Sequence, residues 1–179
     1  MKPVTDGEVL RAVMRQVPSP VTVVTVATSE GPRGVTIGSF GSVSLQPPLV
    51  SFNLSVDATI FRHLVASERY AVHILHAGQV ALSQRFAEPD RSSPQQFEGL
   101  AYRELDGLPL LDDFLAVLIC RRVAVHPAGD HVILVGQVER IEESPRDVPP
   151  ILYYRQSYRV PGDPVAFAPG ANRASSDTP

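Results

Sequence analysis

Residues 34–48, GVTIGSFGSVSLQPP, put Thr36, Gly38, Ser39, Gly41, Ser42 and Ser44 where a strand ordinarily carries bulky side chains. Small residues leave backbone N–H groups uncovered, and hydroxyls add donors beside them, which suits close approach by a phosphate-bearing ligand. A tightly packed barrel strand or a bulge accounts for the same composition. Asn53, Ser55 and Thr59 follow a second strand-like run. Asp57 is placed to cap a helix whose first turn holds Thr59 and whose amide dipoles favour an anion; capping and turn chemistry alone explain these residues equally well. Arg85 and Phe86 offer a cation and an aromatic face, or else a solvated helix face and a core anchor. His131, beside Asp130 at the tip of an HPAGD hairpin, is a titratable group at a turn, or simply a solvated one. Tyr153, Tyr154, Tyr158 and Arg159 read as an aromatic edge strand at a dimer interface.

The elements that must position these residues are mostly strands. Residues 21–28 alternate valine and threonine, the pattern of a half-buried strand, and SEGPRG turns the chain into the small-residue stretch. Further strands are predicted over residues 49–54, 70–75, 114–125 and 131–142, the last two joined as a hairpin. Asp6 is predicted to cap a helix whose Val9, Leu10, Val13, Met14 and Val17 pack inward, with Pro18 ending it. A second short helix carries Ile60, Phe61, Leu64 and Val65 on one stripe, and a third covers residues 79–87. Residues 88–105 are polar and Pro-bearing, and are expected to form a long loop of the kind that covers sites. Many short strands with few helical crossovers point to a mainly β fold, a closed or split antiparallel barrel.

With 179 residues, 44% of them apolar, the chain can bury one core, so one domain is expected over residues 1–160. Residues 161–179, rich in Pro, Ala and Ser, are expected to be a mobile tail. A net charge of −3 with scattered cations leaves no footprint for nucleic acid. No apolar run approaches the length of a membrane span and no signal-like apolar segment opens the chain, so a cytoplasmic protein is expected. Cys120 is the single cysteine and sits in an apolar run, as a buried hydrophobe does. His73 and His76, three apart in a strand, point to opposite faces and cannot share a metal, and none is expected. Neither GxGxxG nor GxxxxGK[ST] is present.

Taken in order, VPSPVTVVT (residues 17–25), GVTIGSFGSVSLQPPLV (34–50), RYAVHIL (69–75), LSQRFA (82–87), GDH (129–131) and PPILYYRQSYR (149–159) resemble the flavin reductase family. These are FMN-binding split barrels that serve as reductase components of two-component flavin-dependent monooxygenases. The resemblance implies that Thr36, Ile37, Gly38, Ser39 and Ser42 hold the isoalloxazine and ribityl chain of FMN or FAD. Asn53, Leu54, Ser55 and Thr59 are implied at the ribityl or phosphate end, with Arg85 near the phosphate and Phe86 near the ring. It further implies that His131 orients NADH or NADPH, with Tyr153, Tyr154, Tyr158 and Arg159 near the nicotinamide or a neighbouring subunit's flavin. Three positions depart from the common family pattern: Pro20 replaces a glycine, and Gly38 and His73 replace asparagines. Hydride transfer needs no protein acid or base, only two flat rings held in contact. The implied protein is a homodimeric NAD(P)H:flavin oxidoreductase that passes reduced flavin by diffusion to a monooxygenase. The alternatives are a flavoprotein of the same barrel that retains its flavin for another redox or sensing role, and a non-catalytic flavin or haem module. In the last, His73, His126 or His131 would be the axial ligand.

Overall fold

The computed structural model of the chain describes residues 7–88 and 93–165. Along the chain run α1 (Gly7–Met14), β1 (Ser19–Pro20), β2 (Thr22–Thr28), β3 (Gly31–Ile37), β4 (Gly41–Leu45) and β5 (Pro48–Ser55). Then follow α2 (Phe61–Ala66), β6 (Arg69–Ile74), α3 (Val80–Ala87), α4 (Ser93–Phe97), β7 (Tyr102–Leu105) and β8 (Leu108–Leu111). The long hairpin of β9 (Ala116–Ala128) and β10 (His131–Glu143) precedes β11 (Leu152–Tyr154) and β12 (Ser157–Arg159). No helix among the described residues is long and apolar enough to cross a membrane.

Strands β3, β2, β6, β9, β10, β5 and β4 pair in that order into one antiparallel sheet. Its two ends meet through a side chain. β4 pairs with β5 only from Gly41↔Ser51 to Leu45↔Pro48, so the Asn53 N–H beyond that ladder needs another acceptor. The Ser39 hydroxyl, just past β3, accepts it at 2.8 Å and reaches back to the Asn53 carbonyl at 3.4 Å. The result is a split antiparallel barrel, the fold class the strand pattern leads one to expect.

Inside the barrel, Val24 and Val26 of β2 meet Phe52, Leu54, Tyr70, Val72, Leu118, Cys120, Val132 and Leu134, all buried. The outer face of β2 is also covered: Val21 and Val23 pack with Leu75, Phe86, Phe97, Leu111 and Ile151 beneath α3 and α4. β2 is therefore buried on both faces rather than half-buried, as its alternation suggested. Its threonines fit because Thr22 and Thr25 donate their hydroxyl protons to the carbonyls of Ile37 (3.0 Å) and Pro109 (2.6 Å).

Three expectations are corrected. The apolar stripe of α1 does not pack inward: Val9, Leu10, Val13 and Met14 are 43–60% exposed, because no other element lies over them in the single chain. Asp6 lies outside the described residues. Asp57 does not cap α2, which starts after Ile60 without a side-chain cap. Successive turns, Ala58 N–H to the Ser55 carbonyl and Phe61 N–H to the Ala58 carbonyl, push the helix start beyond Thr59. The polar segment after residue 88 is not a long open loop. It contains α4 and β7, and the Gln96 amide accepts from Gly34 N–H (3.2 Å) and donates to the Gly34 carbonyl (3.1 Å). That side chain occupies the edge of β3 as a neighbouring strand would. Residues 89–92, and 166–179 of the expected tail, lie outside the described residues.

Cys120 is fully buried, and burial pushes its thiol up to about 12, so it behaves as a core residue. Gly136 in β10 is required by packing: a β-carbon there would lie 2.1 Å from the Tyr70 hydroxyl oxygen and 2.9 Å from the ring carbon bearing it. Gly136→Ala is therefore expected to lower the unfolding free energy by about 1–3 kcal/mol in urea denaturation. Adding Tyr70→Phe, which removes a buried oxygen with no hydrogen-bond partner among the described residues, should recover part of the loss.

Candidate functional site

β3 leaves the barrel at Gly38, and two clefts open on either side of that residue. The first, about 270 Å³, is lined by Ser19, Pro20, Val21, Thr36, Ile37, Gly38, Ser83, Ala87, Tyr153 and Tyr158. Its walls are tied by a relay of hydroxyls. Thr36 Oγ1 donates to the Ser83 carbonyl at 2.6 Å, and Ser83 Oγ lies 3.0 Å from Tyr158 Oη. The relay joins β3, α3 and β12, and the Tyr153 ring stands edge-on to that of Tyr158 with centroids 5.3 Å apart. The surface so formed is largely apolar and edged by hydroxyls.

The second cleft, about 550 Å³, is lined by Leu10, Gly38, Ser39, Asn53, Ala128, Asp130, His131 and Ile133. Barrel pairing assembles it, since β5 and β10 run side by side with Asn53 opposite Ile133 and Ser55 opposite His131. Gly129, at φ 67°, makes the tight turn from β9 that presents Asp130 and His131. His131 Nδ1 lies 2.8 Å from Asp130 Oδ1; a carboxylate can only accept, so Nδ1 carries the proton. This hydrogen bond, more than the imidazole's charge, holds the Asp130 carboxyl below the usual carboxylate range.

Of the residues expected to hold a flavin, Thr36, Ile37 and Gly38 line the first cleft, and Gly38, Ser39 and Asn53 the second. Those expected near a nicotinamide divide: Tyr153 and Tyr158 lie in the first cleft, His131 in the second. Tyr154 is stacked under the Arg155 guanidinium, 5.2 Å from its centroid, and Arg159 is exposed on β12. Ser42 is exposed on β4 next to a bulge, and the Ser55 hydroxyl accepts from Asp57 N–H at 3.3 Å, so neither lines a cleft.

Phe86 takes the core-anchor alternative, and Leu54 is corrected to a core residue. Phe86 is 2% exposed, edge-on to Phe97, and fills the space where a Gly34 side chain would be. Leu54 points into the barrel interior. Arg85 donates to the Glu98 carbonyl at 2.8 Å and Thr59 lies in the turn before α2, so neither reaches the clefts either. Sequence reasoning missed Ser83, Leu10, Ser19 and Pro20 as lining residues. Ser83 sat inside LSQRFA and Ser19–Pro20 inside VPSPVTVVT, but only the docking of α3 and β12 brings them to Thr36.

Two further histidines, His73 and His76, are committed elsewhere. His73 is fully buried, with Nδ1 3.2 Å from the Val23 carbonyl and Nε2 accepting from Leu111 N–H at 3.1 Å. Both ring nitrogens are used in the neutral form, so His73 has no lone pair for a haem iron. His76 lies beyond the end of β6, where Nδ1 accepts from Gly78 N–H and Nε2 faces Asp113. Among the described residues no three or more His, Cys, Asp and Glu side chains are arranged to hold a metal ion.

Residues 14–162 match the flavin reductase like domain. The chain is 42% identical over 154 residues to the FMN reductase (NADH) SmoA of Agrobacterium fabrum, covering 84% of this chain and 76% of that one. It is 34% identical over 155 residues to the reductase subunit HsaB of a flavin-dependent monooxygenase from Mycobacterium tuberculosis, covering 86% and 81%. Among solved structures, the NADH:FAD oxidoreductase SgcE6 of Streptomyces globisporus, in complex with NAD and FAD fragments, superposes with a TM-score of 0.80 at 35% identity. That match covers 96% of this chain and 99% of the other.

Burial drives the His73 pKa from 6.5 down to about 4. The unfolded chain then binds a proton that the folded one refuses, so stability present above about pH 6.5 is lost as the pH falls toward 4. The expected loss approaches about 3 kcal/mol in denaturation curves across that window, and His73→Asn, which does not titrate, should flatten this part of the profile.

Proposed function

Because the chain belongs to the flavin reductase-like family, we propose that it transfers a hydride from NADH to FMN or FAD and releases the reduced flavin to a monooxygenase component. The observation that carries this reading is the meeting of an apolar, tyrosine-walled cleft and a polar, His131-bearing cleft at Gly38. The donor set fits a flavin ring. Tyr153, Tyr158 and Pro20 supply apolar surface, and Thr36, Ser83 and the Gly38 backbone supply hydrogen-bonding groups along one edge.

A flavin held by Thr36, Ser83 and the Gly38 backbone would supply a two-electron acceptor for the hydride, two electrons with one proton, that a dihydronicotinamide would give up on becoming a cation. The protein's part is to hold and orient. The second cleft suits the nicotinamide because the ionised Asp130 favours the cation that forms, and His131 fixes that carboxylate through its Nδ1–H. NADH is the proposed donor, the one named for the FMN reductase (NADH) SmoA of Agrobacterium fabrum. The reaction is placed in the cytoplasm, where the NADH pool lies.

A second copy of the chain is proposed to cover α1, whose exposed Val9, Leu10, Val13 and Met14 make an apolar stripe beside the second cleft. Val13→Glu should convert a dimer to a monomer in sedimentation velocity, and a wild-type chain that sediments as a monomer at micromolar concentration would reject the homodimer.

Purified protein should oxidise NADH only when FMN or FAD is added. Ser39→Trp, which fills the second cleft beside Gly38, should abolish turnover, while His131→Ala should raise the KM for NADH more than it lowers kcat. Flavin-independent or absent NADH oxidation by the wild type would refute the reading.

A further inference from the structure

The turn between β11 and β12 is built from two adjacent residues in the left-handed region, Arg155 at φ 49° and Gln156 at φ 60°. A two-residue hairpin turn of this kind favours glycine, asparagine or aspartate, so a long side chain at its first position stands against local preference. Something else selects arginine. The Arg155 N–H donates to the Arg15 carbonyl, just past α1, at 3.1 Å, and its Nε–H donates to Gln16 Oε1 at 2.8 Å across 139 positions of chain. The guanidinium lies over the Tyr154 ring, 5.2 Å from its centroid, which fixes its direction. Each end of this tie leads to a cleft. β1, β11 and β12 form a small sheet of their own, which carries Ser19, Pro20, Tyr153 and Tyr158 of the first cleft's wall. α1 buries none of its own residues, yet its Leu10 lines the second cleft beside His131. A short helix without a buried face needs an anchor, and Arg155 supplies one.

We propose that Arg155 is a positioning residue that braces one cleft against the other: through its bonds to the end of α1 it holds the Tyr153–Tyr158 wall of the first cleft and the Leu10 side of the second in fixed relation. This inference rests on the proposed function for the ligands of the two clefts, and adds that the placement of their walls is set from outside both, since Arg155 lines neither. The physical warrant is the left-handed pair. Backbone in a sparsely populated region persists where its surroundings over-determine it. Glycine at 155 would meet the turn's backbone demand and keep the N–H; what it would lose is the guanidinium and its bond to Gln16.

The test uses the full chain and its Arg155→Gly, Gln16→Ala and Gln156→Gly variants. FMN affinity is measured by fluorescence quenching, NADH turnover at saturating FMN, and hydrogen exchange of the amides of residues 152–159 without ligand; each variant is also sedimented. Arg155→Gly and Gln16→Ala should each weaken FMN binding about three- to tenfold, the factor that follows from one hydrogen bond, and should speed exchange in the hairpin. Both should raise the KM for NADH by a similar factor while kcat stays within about twofold of wild type. Combining the two should weaken binding no further, because both remove the same bond. Gln156→Gly, which puts glycine in the same turn and keeps the guanidinium, should match the wild type. Unchanged FMN affinity or unchanged exchange in Arg155→Gly overturns the inference, as does an equal loss in Gln156→Gly, since turn conformation alone would then be at work. A variant that sediments differently from the wild type overturns it too, because Arg155 would then serve assembly. A wild type that binds no flavin would instead overturn the proposed function, and the exchange measurement, which needs no ligand, still decides the brace.

Discussion

A sheet edge must be paired, covered or closed, and in this barrel one side chain closes it. Where β4 stops short, the Asn53 N–H is left without a ladder partner, and the Ser39 hydroxyl takes it up. A backbone strand in that place would have sealed the wall. A serine instead joins the ends of the sheet at one point and leaves open space to either side, and both candidate clefts lie along that seam. The small residues of the 34–48 stretch therefore have one structural consequence with two outcomes: the sheet can close, and it closes incompletely.

The glycines near the seam divide by what occupies the space they leave. At Gly34 it is the Phe86 ring and at Gly136 the Tyr70 hydroxyl, so these two serve packing density. At Gly38 a β-carbon would make only ordinary contacts with Ser19 and Pro20. Phe86 illustrates how a residue can carry a family resemblance and still act at a distance: it anchors α3 against β3, and α3 in turn presents Ser83 to Thr36 and Tyr158. The tyrosine-walled cleft is thus held by a hydroxyl relay whose rigidity derives from an apolar contact behind it.

Electrostatics are set differently in the core and at the rim. His73 is kept neutral by burial and by two backbone partners, which suits a residue that ties β6 to β2 and β8. His131 and Asp130, on an exposed turn, are joined by a hydrogen bond and remain accessible. The same residue type is structural in one place and available for chemistry in the other, and the difference is access to water.

Much of the fold was legible in the chain. The alternation in residues 21–28, the paired apolar runs around HPAGD and the hydroxyl-rich stretch are local signals, because strand formation and turn geometry depend on side chains a few residues apart. They pointed to a mainly β barrel, and the ordered motifs pointed to the family. Only the tertiary structure decided which residues share a cleft. Ser83 meets Tyr158 across 75 positions, Gln96 reaches Gly34 across 62, and Ser39 finds Asn53 through a register that no local pattern specifies. It also moved Phe86 and Leu54 into the core and left the stripe of α1 outside. Amphipathicity states that a face is apolar, whereas its partner is chosen by the packing of the whole chain or of another copy.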